Sequence, residues 1–150
     1  MRQGERGRNL EQGELITLAS SSARTASGNG EWVPVLGERI QFSWILNITA
    51  SATDAGDTLD VYIDVSFDGV NSAGNVVHFT QQAGNGSAAK GLAVVGASAT
   101  STGTTVITSD AAVATVRQGF TGPYWRARWV IVDSGNGNSS HTFSVTGYAL

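Results

Sequence analysis

Three stretches of this 150-residue chain alternate apolar and polar side chains over nine or ten residues, and that period of two decides most of what the chain can fold into. Ile40, Phe42, Trp44, Leu46 and Ile48 alternate with Gln41, Ser43, Ile45, Asn47 and Thr49. Leu59, Val61, Ile63, Val65 and Phe67 alternate with Asp60, Tyr62, Asp64, Ser66 and Asp68. Trp125, Ala127, Trp129 and Ile131 alternate with Tyr124, Arg126, Arg128, Val130 and Val132, and the two tryptophans favour the odd set as the inward one. Successive side chains of a strand point to opposite faces, so each run predicts a strand with one dry face. The second run then carries a wet, acidic face and closes on the turn dipeptide Asp68-Gly69.

Shorter strand candidates are Leu15–Leu18, Trp32–Val35, Val76–Gln81, Leu92–Val95, Thr104–Thr108 and Val113–Arg117, with His141–Leu150 as the last. Pro34 cannot donate to a ladder and suits a sheet edge. Ser20–Gly30 and Ser51–Asp57 read as loops, and Gln82–Gly103 as surface excursions flanking one short strand. Gly-Asn-Gly at 28–30, 84–86 and 135–137 reads as turn chemistry, because Asn and Gly tolerate positive φ. No stretch shows a sustained 3.6-residue period. The fold expected is all-β: a single antiparallel β-sandwich or jelly roll of about 8–9 strands over residues 14–150. Residues 1–13 hold Arg2, Glu5, Arg6, Arg8 and Glu11 among three glycines, and read as a flexible N-terminal arm.

Composition narrows the chemistry. There is no cysteine, which excludes disulfides and thiolate metal sites. A net charge of −3 is not that of a broad nucleic-acid-binding surface. Apolar runs are too short to span a bilayer, and the polar opening carries no secretory signal. Charged residues make up 14% of the chain, against about 25% in an average domain, and Lys90 is the single lysine. Such a surface repels its own copies weakly and hints at an assembled protein.

The catalytic inventory is thin. His78 and His141 are the two histidines, each read as lying at a strand surface or end, and no nucleophile elbow, HExxH or Walker loop is present. No enzymatic activity, cofactor or metal is therefore expected. Five of the seven aspartates fall in the 15 residues from Asp54 to Asp68. Alternation places Asp60, Asp64 and Asp68 on one face, about 13–14 Å apart in successive pairs, too far for a glycosidase carboxylate pair along this strand. Asp54, Asp57 and Asp60 offer oxygen ligands but lack the dense spacing of a calcium loop. An acidic face meeting cations fits better, with Arg126 and Arg128 pairing across the sheet or across a subunit boundary. Trp44, Trp125 and Trp129 read as core, while Trp32, beside Pro34, is uncommitted.

Several of these residues carry a family resemblance. Leu18-Ala-Ser-Ser-Ser-Ala-Arg-Thr-Ala-Ser-Gly-Asn29, Thr58-Leu-Asp-Val-Tyr-Ile-Asp-Val-Ser-Phe-Asp-Gly69 and His78-Phe-Thr-Gln81 resemble a recurrent pattern of tailed-bacteriophage virion proteins. Tyr124-Trp-Arg-Ala-Arg-Trp-Val-Ile-Val132 and Thr142-Phe-Ser-Val-Thr-Gly147 look like that family's closing hairpin. The family usually has a tryptophan soon after the Asp-Gly turn, where this chain has Val70–Asn75. The resemblance implies a small β-sandwich of the virion, either a head decoration (cement) protein or a tail or neck component. It implies the major capsid protein and further copies of the chain as partners, commonly as a trimer, with a terminal arm reaching neighbouring subunits on the outer capsid surface. Neither nucleic acid nor membrane is an expected partner. The residues expected to bind partners are Arg2, Arg6, Arg8, Trp32, Asp60, Asp64, Arg126 and Arg128. A carbohydrate-binding module using Trp32 or Tyr124 and the Asp54–Asp60 loop is the reading from a different class.

Overall fold

The computed structural model describes residues 13–35, 37, 39–96, 110–135 and 137–150. Eleven strands follow one another: β1 (Glu14–Arg24), β2 (Gly28–Asn29), β3 (Val33–Pro34), β4 (Gln41–Ala50), β5 (Thr58–Ser66), β6 (Gly74–His78), β7 (Gln82–Ala83), β8 (Ala89–Gly96), β9 (Thr115–Val116), β10 (Tyr124–Val132) and β11 (His141–Ala149). They form two antiparallel sheets packed as a sandwich. One has the order β1-β11-β4-β8. The other runs β2-β10-β5-β6-β9, with β3 also on β10 and β7 on β5. Among the described residues there is no helix.

The period of two does what it should. Phe42, Trp44, Leu46 and Ile48 turn one face of β4 inward, and Leu59, Val61, Ile63 and Val65 turn β5 to meet it, all at 3% exposure or less. Trp125 and Ala127 are fully buried, while Trp129 and Ile131 pack against the core from its margin. At the centre the Trp44 and Trp125 rings lie 5.2 Å apart, with Phe42 4.3 Å from Trp125. Each such side chain contributes about 1.5–3 kcal/mol by leaving water. Space for Trp44 comes from Gly147, its partner in the β4–β11 ladder: a Cβ there would stand 2.1 Å from the indole. At the far end of β1, the Arg24 guanidinium lies over Trp129 (4.6 Å) and Phe143 (4.2 Å) and donates to the carbonyls of Phe143, Ser20 and Ser22. Burial lowers its pKa.

The structure has more strands than the 8–9 expected, because four of the eleven are two-residue bridges. β1 runs through the first half of the expected loop Ser20–Gly30, its register slipping at bulges between Thr17 and Ala19 and between Ala19 and Ser22. A bulge moves side chains out of strict alternation, which is why periodicity stopped at Leu18. The first Gly-Asn-Gly supplies β2, paired with Arg128 and Trp129 on β10, instead of a turn. Pro34 sits on the edge, opposite Tyr124. β8 takes eight residues out of the expected Gln82–Gly103 excursion. Ile40 and Phe67, end members of two of the long runs, fall just outside their strands and are 72% and 62% exposed. The arm, apart from Gly13, and the expected strand Thr104–Thr108 lie outside the described residues.

Candidate functional site

The outward face of β5 is acidic by sequence, yet it is not wet. Asp64 is 2% exposed and Asp60 7%. Their cover comes from the neighbouring strands. Ladder register puts Arg126 of β10 directly opposite Asp64, and Arg128 opposite Tyr62. Arg126 donates from Nε and Nη2 to Asp64 Oδ2, both at 3.1 Å. Arg128 Nε reaches the same carboxylate at 3.3 Å. Two guanidinium groups on one buried carboxylate supply the charge-assisted hydrogen bonds that make its burial tolerable.

The network extends in both directions. Trp32, in the segment before β3, lies under the Arg126 guanidinium at 4.3 Å. Arg128 lies over the Tyr62 ring at 4.0 Å, and Tyr62 stacks on the His78 ring at 4.1 Å. His78, across the β5–β6 ladder from Tyr62, brings Nε2 to 2.9 Å from Asp60 Oδ1. Gln81 Nε2 donates to the other Asp60 oxygen at 2.7 Å. Burial raises the Tyr62 phenol pKa, Asp60 adds to the rise and Arg128 opposes it. Trp32, Arg126, Asp64, Arg128, Tyr62, His78, Asp60 and Gln81 thus form one continuous surface in which cations, carboxylates and rings alternate.

Five of the residues expected to bind partners, Trp32, Asp60, Asp64, Arg126 and Arg128, are brought together here. Arg2, Arg6 and Arg8 lie outside the described residues. Three members, Tyr62, His78 and Gln81, were not among the residues expected to bind partners. Tyr62 shares the parity of Asp60 and Asp64, so alternation alone would have found it. His78 and Gln81 carry no local signal, because their membership depends on how β6 registers against β5. Asp68 does not join the face: it lies beyond the end of β5 and accepts bonds from Ser66 Oγ, the Val70 and Asn71 amides and Asn71 Nδ2. Those bonds hold its pKa below the usual carboxylate range. The turn expected at Asp68-Gly69 is present, with Gly69 at φ +71°.

A second polar cluster sits at the start of β5 and β11. His141, read as a strand-end surface residue, is fully buried, because the alternation of β11 places it on the inward face with Phe143 and Val145. Asp57, also fully buried, accepts from Ser134 N (2.7 Å) and Oγ (2.8 Å). Its Oδ2 and both His141 ring nitrogens are buried without a hydrogen-bond partner among the described residues. Burial lowers the His141 pKa, opposed by the Asp57 charge. Asp57 is thus turned to Ser134 while Asp60 faces His78. Among the described residues no three histidine or carboxylate side chains are grouped to hold a metal ion.

No family model and no curated protein matches the chain. Among solved structures, it is similar to one titled "Structure of infectious bursal disease virus Gx strain", at a TM-score of 0.47 and 13% identity. That overlay covers 92% of this chain and 31% of the other. It is also similar to the corresponding structure of the Gt strain, at 0.46 and 12%, over 95% of this chain and 33% of the other. This chain therefore spans about a third of the length of those chains. Overlays this loose do not bear on function.

Proposed function

We propose that this chain is a non-enzymatic structural component of a virion, a decoration protein that binds the outer surface of a bacteriophage head and stabilises the shell. Its partners in this reading are the major capsid protein and other copies of itself, and assembly takes place in the bacterial host cytoplasm. The supporting observation is how the charge is used. On the outer face of the β10-β5-β6 sheet, Arg126, Arg128, Asp64, Asp60 and His78 are engaged with one another. On the opposite side, the outer faces of β11, β4 and β8 carry a single charged side chain, Lys90. A surface so poor in free charge suits a part that works by packing against neighbours. In this reading Arg2, Arg6 and Arg8 reach acidic groups on an adjacent subunit, and Trp32, Asp60, Asp64, Arg126 and Arg128 form a stiff outward plate.

The test is sedimentation with expanded phage heads that lack their decoration protein. The protein should pellet with the heads and raise their heat resistance, and its remaining in the supernatant would overturn the reading. Immunogold label on tails or necks instead of heads would move the protein to another virion position. A chain lacking residues 1–13 should keep the fold, unfold cooperatively and bind heads more weakly than the full chain.

A further inference from the structure

The outer face of the β1-β11-β4-β8 sheet has an order of its own. Register aligns two rows across all four strands. One row reads Leu15, Tyr148, Ser43, Val94, and the next reads Thr17, Thr146, Ile45, Leu92. Leu15 is 79% exposed, Leu92 71%, Ile45 and Tyr148 43% and Val94 40%, so nearly half of the large exposed apolar side chains of the described residues stand on this face. Lys90 lies beyond the two rows, beside Asn47.

We propose that this face is a two-fold contact between two copies of the chain. Turning one copy by 180° about an axis parallel to the strands, between β11 and β4, reverses the strand order. β4 then faces β11 of the partner, and β8 faces its β1. In the first row Tyr148 meets Ser43, and Leu15 meets Val94. In the second Ile45 meets Thr146, and Leu92 meets Thr17. Three of these four pairings set a large side chain on a small one, the interdigitation by which sheets pack about 10 Å apart. The face is therefore complementary to itself, and with one charge it has little to offer a strongly charged partner. Its size is sufficient. Four strands about 4.8 Å apart and eight residues long make a face of about 500 Å². Two such faces bury about 1,000 Å², the lower bound for a specific interface. Lys90 falls at the rim, where a polar residue belongs.

This deepens the self-association in the proposed function by giving it two-fold geometry. Sedimentation equilibrium between about 1 μM and about 1 mM should follow a monomer–dimer equilibrium. Ile45→Asp buries a carboxylate against Thr146 and should weaken dimerisation at least about 100-fold. Thr146→Lys should do the same, and mixing the two variants should restore a heterodimer through an Asp–Lys contact. Circular dichroism melts should show that both variants fold, since both positions lie on the outer face of the sheet. A monomer at all concentrations, a trimer, or undiminished dimerisation of Ile45→Asp would overturn the proposal. The head-binding assay reads separately: a dimer that ignores heads sinks the virion reading alone, and a monomer that decorates heads sinks the two-fold contact alone.

Discussion

Arg126 brings two nitrogens to within 3.1 Å of a single oxygen of Asp64, the residue directly opposite it in the β10–β5 ladder. The carboxylate is buried, whereas the arginine side chain keeps 19% exposure. The cost of breaking the contact is therefore unequal: a lost arginine leaves a second one, Arg128, on the carboxylate, but a lost carboxylate leaves two cations facing each other.

Asp64→Ala should accordingly cost about 2–3 kcal/mol, below the range for a fully buried pair because both arginines reach solvent. Arg128→Ala should cost about 1 kcal/mol. Urea unfolding of the two single variants and the double variant checks this, and the double should lose less than the sum. An Asp64→Ala protein within about 0.5 kcal/mol of the parent would show that the network adds nothing to stability.

His141 makes stability depend on pH. Burial holds its folded-state pKa below the ordinary value of 6.5, the value it regains on unfolding. The unfolded chain then binds the proton first, so the His141 contribution is complete above the unfolded value and is lost as pH falls below it. The slope is at most about 1.4 kcal/mol per pH unit, until the folded-state value is reached. Urea midpoints from pH 8 down to pH 5 should fall more steeply for the native chain than for His141→Phe. Parallel curves would contradict the assignment.

Gly147→Ala places a methyl group against the Trp44 ring and the Ser43 carbonyl, both backed by packed structure. Overpacking of this kind costs about 1–3 kcal/mol. Trp44→Leu alone should cost about 3 kcal/mol through the cavity it leaves. Because the second change removes the atoms that the first strikes, thermal melts should find the double variant less destabilised than the sum.

Asp68→Ala should release the turn it caps and leave the sandwich intact. The Val70 and Asn71 amides both donate to its carboxylate. Their hydrogen exchange should accelerate in the variant, while amides in the β5–β10 ladder keep their protection. The carboxylate pKa is lowered, so in the native chain this contribution is complete above the usual aspartate range and is lost progressively as pH falls from there towards the depressed value. Unchanged exchange at Val70 and Asn71 would remove the capping role.

Much of the candidate site could be read from spacing. Alternation placed Asp60 and Asp64 on one face of β5, and Arg126 and Arg128 on one face of β10. It could not show that the acidic face is covered, since the cover comes from β10, β6 and the Trp32 segment, far away in the chain. His78 illustrates the limit: Val-Val-His-Phe-Thr looks the same whether its histidine meets solvent or Asp60. The bulges of β1 and the pairing of Gly28–Asn29 were hidden for the same reason, because each is a property of two strands at once.

The sequence by itself determined the class and the inside of this protein. A period of two is a local property, and burying one side of several such strands leaves few answers besides two packed sheets. Tertiary structure alone decided which strands became neighbours and in what register. On that depended the closing of a charged strip on itself, the burial of His141, and the rows of large and small side chains across the outer face of β1, β11, β4 and β8. Local pattern says which side of a strand is dry; only the pairing of distant strands says what lies next to each side chain, because the energy that fixes register is shared by residues the chain keeps far apart.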